Sequence, residues 1–253
     1  KHKAHHGSVV VMEVKTGEIK AIANLKRNTA RCYKIPESEC CSPNLEEGEP
    51  TESYNYAIGE HSEPGSTFKL ASILAGLEDG FFKLSDSVDT ENGRYKFFDR
   101  TMIDSKIGGY GKITIADAFV LSSNVGISKV INNAYAKQPE KFIDRLYKLQ
   151  LNSPLNIEIP TPENPKIKTP KSYDWSGTTL PWMSIGYEGS LTPLHILTFY
   201  NAFANKGRMV SPQLVKHIKS SNGIVKSFPT QVISEQICSK ETINKIMPYM
   251  IEV

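Results

Sequence analysis

Ser66 and Lys69, three residues apart, form the pair in this sequence best suited to nucleophilic chemistry. On a helix, two residues with this spacing are surface neighbours, with their Cβ atoms roughly 5 to 6 Å apart. A serine hydroxyl attacks when a base removes its proton, and a lysine can be that base when its pKa is lowered. The positive end of a helix disfavours a nearby ammonium, and its free N–H groups can stabilise an oxyanion. The pair therefore indicates acyl transfer at the start of a helix.

The same spacing also arises by chance, and the serine is then a helix cap and the lysine is solvated. Two features favour catalysis. Ser66 and Lys69 are the only residues in the chain with the spacing Ser-x-x-Lys. The helix that they open is strongly apolar, so we expect it to bury the lysine.

A second candidate motif, Ser-x-Asn, occurs four times, so the tripeptide alone carries little information. The occurrences are Ser42-Pro43-Asn44, Ser53-Tyr54-Asn55, Ser122-Ser123-Asn124 and Ser220-Ser221-Asn222. The first two precede the nucleophile, and the last lies in a predicted hairpin turn. The remaining one follows Ser66 and joins two predicted helices, so Ser122 and Asn124 are the candidate site residues.

The order of these motifs matches a known family. Ser-x-x-Lys, followed by Ser-x-Asn and then Lys-Thr-Gly, is the signature of penicillin-binding proteins and serine β-lactamases. Residues 9–24, 54–57 and 186–207 resemble the opening hairpin, the approach to the nucleophile and a later helix of class B penicillin-binding proteins. The resemblance covers nearly the whole chain and is strongest to division-associated transpeptidases of the Bacteroidetes type.

The third motif of the family is the one that departs from this match. Lys15-Thr16-Gly17 has the right letters, but it precedes the nucleophile and fits the turn of the first predicted hairpin. The resemblance therefore implies a transpeptidase domain over residues 1–253 that is cut before its third motif, which we expect beyond Val253.

The resemblance implies a reaction on peptidoglycan stem peptides. Ser66 would attack the D-Ala-D-Ala bond and form an acyl-enzyme, and an amine of a second stem would take the acyl group. Lys69 would deprotonate Ser66, Ser122 would pass protons to and from the reacting amines, and Asn124 would hold the donor amide and orient Lys69. Ser66, Ser122 and Asn124 would therefore also bind substrate, with no cofactor or metal. β-Lactams would acylate Ser66.

The resemblance also implies a cellular setting. The expected place is extracytoplasmic, in the periplasm, with a tether to the inner membrane through an N-terminal helix outside this chain. The expected partners are other proteins of cell-wall synthesis and division, with a role in septal wall synthesis.

Three alternatives remain open at this point. A β-lactamase-like hydrolase and a non-catalytic β-lactam sensor share the first two motifs. A Ser-His-Asp hydrolase is disfavoured because Ser66 lacks the Gly-x-Ser-x-Gly elbow, and His61 and His195 are interpreted as surface or packing residues.

Local patterns predict the elements that position these residues. Residues 8–13 and 18–24 form a hairpin, residues 28–53 a surface loop insert, and residues 151–181 a loop. Helices begin at Ser66 and at Ser239, and two more begin after the caps Thr114 and Thr192. A second hairpin turns at Asn222-Gly223.

This pattern predicts an α/β (α+β) fold of the penicillin-binding protein and serine β-lactamase type. Strands from both ends of the chain are expected to meet in one antiparallel sheet, flanked by helices and a helical subdomain.

Composition excludes several other classes. The net charge of +3 is spread over well-mixed acids and bases, so there is no electrostatic footprint for nucleic acid. No apolar run is long enough to span a bilayer. The cysteines, Cys32, Cys40, Cys41 and Cys238, do not form the C-x-x-C pairs of a zinc site.

Overall fold

The computed structural model describes residues 4–27, 50–52, 54–159 and 164–253. The strands are β1 (His6–Met12), β2 (Ile19–Arg27), β3 (Pro50–Glu52), β4 (Ser87–Asp89), β5 (Arg94–Phe97), β6 (Arg100–Ile103), β7 (Lys112–Thr114), β8 (Lys166–Ile167), β9 (Gly189–Ser190), β10 (Met209–Val210), β11 (His217–Ser220), β12 (Gly223–Ser227) and β13 (Val232–Ser234). The helices are α1 (Tyr56–Gly59), α2 (Lys69–Glu78), α3 (Ile115–Val120), α4 (Asn124–Tyr135), α5 (Pro139–Lys148), α6 (Thr179–Met183), α7 (Pro193–Ala204) and α8 (Lys240–Ile246). Two 3-10 turns, Gly65–Phe68 and Met247–Ile251, precede α2 and follow α8. Across these described ranges, no helix combines the length and the apolar character that a membrane span requires.

The N-terminal hairpin confirms the first predicted pair of strands. β1 pairs antiparallel with β2 over its whole length. Gly17 in the turn has a φ of +76°, a conformation that glycine adopts without steric cost. Val10 and Ile22 face inward and pack against a small apolar cluster that contains Ile58 and Leu194.

Residues 50–52, near the end of the predicted surface loop 28–53, form the strand β3. Its three residues pair antiparallel with the end of β2. The edge of β2 would otherwise present unpaired backbone groups, and the returning chain satisfies them. Residues 28–49 and 53 lie outside the described residues, and so do three of the cysteines, Cys32, Cys40 and Cys41.

α2 is the central helix of the main apolar core. Residues 69–76 are all buried, because Leu, Ile and Ala occur on every face of the helix and not along a single stripe. α3, α4, α5 and α8 contact it. Lys69, as the first residue of this helix, is carried into the core with it.

The predicted caps Thr114 and Thr192, and the predicted start of the last helix at Ser239, are confirmed. Thr114 accepts a hydrogen bond from the backbone N–H of Asp117, whose side chain accepts one from the Thr114 backbone in return. Thr192 and Ser239 accept from the third residue of α7 and α8 in the same way.

Residues 151–181, predicted to be loop, contain β8 and the start of α6. β8 pairs with β9, which is distant in the sequence, so no local pattern reveals it. The residues of α6 are all buried, because its apolar side chains pack into the main core.

The β11–β12 hairpin confirms the turn at Asn222-Gly223 but forms a sheet of its own. Every residue of both strands is exposed, so neither face carries the buried apolar side chains that pack a sheet onto a core. A parallel bridge between Glu18 and Gln213 links the N-terminal hairpin to the segment before β11. Within the described ranges, strands from the two ends of the chain therefore do not form the single sheet that was expected.

Candidate active site

Ser66 lies in the 3-10 turn that leads directly into α2. Contacts from two other segments hold this turn. The Gly65 backbone N–H donates to the Gly186 carbonyl at 3.0 Å, and the Tyr200 hydroxyl donates to the Thr67 carbonyl at 2.8 Å. Ser66 itself is exposed, and no described residue forms a hydrogen bond with its hydroxyl. The hydroxyl is therefore free for an incoming molecule at the positive end of a helix.

Lys69 is buried one turn further on, with 1% of its surface exposed. Its Nζ donates to the Ser122 carbonyl at 2.6 Å, to Ser122 Oγ at 2.9 Å and to Asn124 Oδ1 at 2.7 Å. An ammonium has three donors, so these three acceptors satisfy it completely. The contacts join the two motifs that the sequence singles out.

The environment of Lys69 moves its proton affinity towards neutral pH. Burial lowers the pKa of Lys69 to about 8, because an ammonium loses hydration in the core. The carboxylate of Asp104 acts in the opposite direction and raises this pKa. A general base is most effective when its pKa lies near the working pH, so this lysine is suited to accept a proton from a hydroxyl.

Ser122 occupies the tight joint between α3 and α4. Its φ is +53°, which is uncommon for a residue other than glycine. Two backbone hydrogen bonds, from Ser122 to Phe119 and from Ser123 to Ala118, hold the joint. The positive φ turns both oxygens of Ser122 towards Lys69. Backbone conformations of this kind concentrate at functional sites.

Asn124, the first residue of α4, is oriented by a second contact. Its Nδ2 donates to the Ile103 carbonyl at 2.9 Å, at the end of β6. This places Oδ1 on the Lys69 side, where it accepts. One N–H of the side-chain amide remains available for another partner.

Asp104 is the residue near this site that the sequence analysis missed. It is 5% exposed and follows β6 directly. Its carboxylate accepts from Ser123 Oγ at 3.0 and 3.1 Å and from the Val125 backbone N–H at 2.9 Å. In the sequence, Asp104 is a single acid after a short strand. Its partners lie about twenty residues later at the start of α4, so no local pattern links them to it.

The other candidate residues stay apart from this cluster. Gly17 of the Lys15-Thr16-Gly17 tripeptide lies in the hairpin turn, and its carbonyl accepts from the Gln213 backbone N–H. A Cβ on Gly17 would meet the Ser211 carbonyl at 2.1 Å, so packing as well as the turn requires glycine here.

His61 and His195 pack against each other, with ring centroids 6.1 Å apart. His195 Nδ1 lies 2.7 Å from Thr192 Oγ1 in the cap of α7. Burial, and secondarily His61, lower the pKa of His195 to about 4, so it is neutral at physiological pH. Both nitrogens of His61 and Nε2 of His195 have no hydrogen-bond partner among the described residues. His195 is a packing residue, in agreement with the interpretation from the sequence.

An open, charged groove of about 610 Å³ lies on one side of the nucleophile turn. Glu63, three residues before Ser66, accepts from the Glu188 backbone N–H at 3.1 Å. Lys168 bridges Asp174, at 2.9 Å, and Glu188. The described residues include no group of three or more His, Cys, Asp or Glu placed to hold a metal ion.

Comparison with known proteins adds three relationships. A family model described as penicillin binding protein transpeptidase domain matches residues 7–253. The probable peptidoglycan D,D-transpeptidase PbpC of Pseudomonas aeruginosa is 28% identical over 216 residues, which are 85% of this chain and 35% of that protein. The peptidoglycan D,D-transpeptidase FtsI of Escherichia coli is 25% identical over 243 residues, which are 96% of this chain and 37% of that protein.

Among solved structures, penicillin-binding protein 3 of Mycobacterium tuberculosis complexed with ampicillin has a TM-score of 0.74 at 25% identity. The match covers 97% of this chain and 50% of that one. This likeness confirms the predicted α/β (α+β) fold of the penicillin-binding protein type. The chain spans about a third of the length of the two curated relatives.

Proposed function

Because the chain belongs to the penicillin-binding protein transpeptidase family, we propose that it is a serine D,D-transpeptidase that crosslinks peptidoglycan stem peptides. The observation that carries this proposal is the buried Lys69. It lies one turn from an exposed serine and contacts both Ser122 and Asn124. A structural lysine has no need of such a position, because removing an ammonium from water costs free energy.

The first half-reaction forms the acyl-enzyme. Lys69 Nζ takes the Ser66 hydroxyl proton while Ser66 Oγ attacks the carbonyl carbon of the D-Ala-D-Ala bond, and the Ser66 backbone N–H stabilises the oxyanion. When the C–N bond breaks, Ser122 Oγ gives its proton to the leaving nitrogen. Lys69, 2.9 Å from Ser122 Oγ, returns a proton to it. The products are free D-alanine and an ester on Ser66.

The second half-reaction transfers the acyl group. An amine of another stem peptide attacks the ester carbonyl, and Ser122 Oγ removes a proton from that amine while it passes its own proton to the neutral Lys69, 2.9 Å away. The Ser66 oxygen leaves and regains its proton from Lys69, which restores the enzyme. Asn124 orients Lys69 through Oδ1 and offers its remaining N–H to the donor peptide.

β-Lactams test this proposal directly, because their strained amide presents the same carbonyl to Ser66. The intact protein is incubated with a fluorescent penicillin, and the labelled peptide is identified by mass spectrometry. We expect a covalent adduct on Ser66 that Ser66→Ala abolishes. Ser62→Ala, which alters an exposed serine four residues earlier, should label like the wild type. Absence of any adduct on the wild-type protein would refute the proposal.

The rate at which the label is lost separates the transpeptidase from its alternatives. A transpeptidase releases the penicilloyl group slowly, over many minutes, because no water is positioned to attack the ester. Rapid release with turnover would instead identify a β-lactamase-like hydrolase. A stable label without D-alanine release from a D-Ala-D-Ala peptide would identify a sensor.

The cellular setting belongs to the same proposal. Resemblance to division-associated transpeptidases supports action in the periplasm, with an N-terminal membrane tether and partners in septal wall synthesis. A fluorescent fusion of the protein should concentrate at the division site. Uniform labelling of the cell envelope, with normal septation when the gene is depleted, would contradict this setting.

A further inference from the structure

Asp104 is a buried acid that the reaction steps above do not use. Asp104 is 5% exposed, and an aspartate is rarely buried to this extent unless its side chain is paired. The stabilising donors are Ser123 Oγ and the Val125 backbone N–H, at the N-terminus of the 12-residue helix α4. Both donors and the positive helix end hold the side chain of Asp104 in place at the start of α4.

The hydrogen bonds of Asp104 hold Ser123, the middle residue of the Ser122-Ser123-Asn124 motif. Ser123 donates to Asp104 and accepts from the Gly126 backbone N–H at 2.8 Å, so it is both anchored and the cap of α4. Ser122 and Asn124 flank it directly. Asn124 is also held by the carbonyl of Ile103, the residue before Asp104.

The charge of Asp104 acts on Lys69. Lys69 extends from α2, Asp104 follows β6, and the α3–α4 joint contributes the uncharged Ser122 and Asn124. Asp117 of α3 is engaged in its own capping box with Thr114. The negative charge of Asp104 favours the ammonium form of Lys69.

We infer that Asp104 is a positioning residue of the acylation step: it holds Ser122 and Asn124 against Lys69 and supplies the counter-charge for the Lys69 ammonium. This inference rests on the proposed function. When Lys69 takes the Ser66 proton, a positive charge forms in a buried site. A carboxylate fixed by hydrogen bonds stabilises this charge without reorganisation at the moment of reaction.

The test compares the pH dependence of Ser66 acylation by a fluorescent penicillin in the wild type and in Asp104→Asn. Asparagine keeps the shape and can still accept from Val125, but it removes the negative charge. The Lys69 ammonium is then less stable and loses its proton at lower pH. We expect the pH at which the acylation rate rises to be lower by roughly half to one unit. The plateau rate should fall roughly tenfold, because a weaker base drives proton transfer less well.

Two further variants separate charge from hydrogen bonding. Asp117→Asn removes the exposed acid in the capping box of α3. The pH at which the acylation rate rises should stay at the wild-type value. Ser123→Ala removes the hydrogen bond and the cap but keeps the carboxylate. This variant should slow acylation and lower the Tm, but the pH at which the acylation rate rises should not change. If Asp104→Asn does not fold, Ser123→Ala still decides on the positioning role, since an unchanged acylation rate would overturn it.

The failures of the two proposals are distinguishable. If the wild type takes no label, the proposed function is wrong and the inference falls with it. If the wild type is labelled while a folded Asp104→Asn keeps the wild-type pH profile and rate, the inference alone is overturned. A shift of the same size in Asp117→Asn would also overturn it, because the effect would then not be specific to Asp104.

Discussion

At the scale of single residues, Lys69 combines two properties that seldom occur together, complete burial and three well-placed acceptors. Burial favours the neutral amine, and the acceptors together with Asp104 favour the ammonium. These opposing effects leave the pKa of Lys69 at about 8. A group poised in this way can take a proton from Ser66 and return it to Ser122 with little cost in either direction.

Replacing Lys69 with arginine tests this balance. A guanidinium keeps its proton at every accessible pH, so Lys69→Arg has the charge but cannot act as a base. In the wild type, the acylation rate should increase as pH rises through about 8, because Lys69 becomes neutral above its pKa. In Lys69→Arg the rate should be lower by a factor of roughly 100 to 10,000, without that increase.

Lys129→Arg is the matched control for this substitution. Lys129 lies on α4 and pairs with Glu91 at 3.0 Å, away from the contacts of Lys69. Its acylation profile should match that of the wild type. Wild-type kinetics in Lys69→Arg would show that another group is the base.

At the scale of elements, the position of Ser66 depends on a close contact between two glycines. Gly186 has a φ of +92°, and a Cβ at this position would lie 2.0 Å from the Gly65 carbonyl oxygen. The obstacle is backbone, so no side-chain movement relieves it. The segment after α6 therefore sets how far the nucleophile turn extends into solvent.

Gly186→Ala should displace the turn that carries Ser66. We expect the acylation rate to fall by at least roughly tenfold, since small displacements of reacting groups are costly. The Tm should fall as well, because alanine is strained at positive φ. Acylation kinetics and thermal melting measure the two effects.

Gly80→Ala provides the control for backbone strain alone. Gly80 also has a positive φ, +70°, but a Cβ added there would meet no atom within 4 Å beyond its immediate chain neighbours. This variant should lose about 1 kcal/mol of stability and acylate at the wild-type rate. Equal kinetic losses in both variants would contradict a specific role for the Gly65–Gly186 contact.

At the scale of the whole molecule, a polar network ties the helices around α2 together. Asp79, just after α2, accepts from the Tyr135 hydroxyl at 2.6 Å and from Arg145 Nε at 2.9 Å. Tyr135 is the last residue of α4, and Arg145 belongs to α5. The network therefore fixes α4, whose other end carries Asn124, relative to the helix that carries Lys69.

Tyr135→Phe should lower stability without altering the chemistry. The lost hydrogen bond to a carboxylate is worth about 1.5 kcal/mol, or roughly 3 to 6 °C in Tm for a chain of this size. Acylation at 25 °C should be unchanged. In the control Tyr147→Phe, the hydroxyl removed has no partner among the described residues, and the Tm should stay the same. A Tm for Tyr135→Phe equal to that of the wild type would refute the role of the network.

The sequence by itself determined the local features of this protein. Ser66 and Lys69 share one turn, and the first hairpin turns at Gly17. The caps Thr114 and Thr192 begin their helices, and the last helix starts at Ser239. Each of these depends on residues a few positions apart, whose preferences are readable in short segments. Motif order also selected Ser122 and Asn124 from four Ser-x-Asn tripeptides.

Only the tertiary structure decided which distant residues meet. The contacts of Lys69 with Ser122 and Asn124 span more than fifty residues, and Asp104 reaches their cluster from a separate strand. The pairing of β3 with β2 and of β8 with β9 is equally non-local. Such contacts depend on burial and on the satisfaction of backbone groups across the whole fold, which no short segment encodes. For the same reason, the burial that lowers the pKa of Lys69 is a property of the folded molecule.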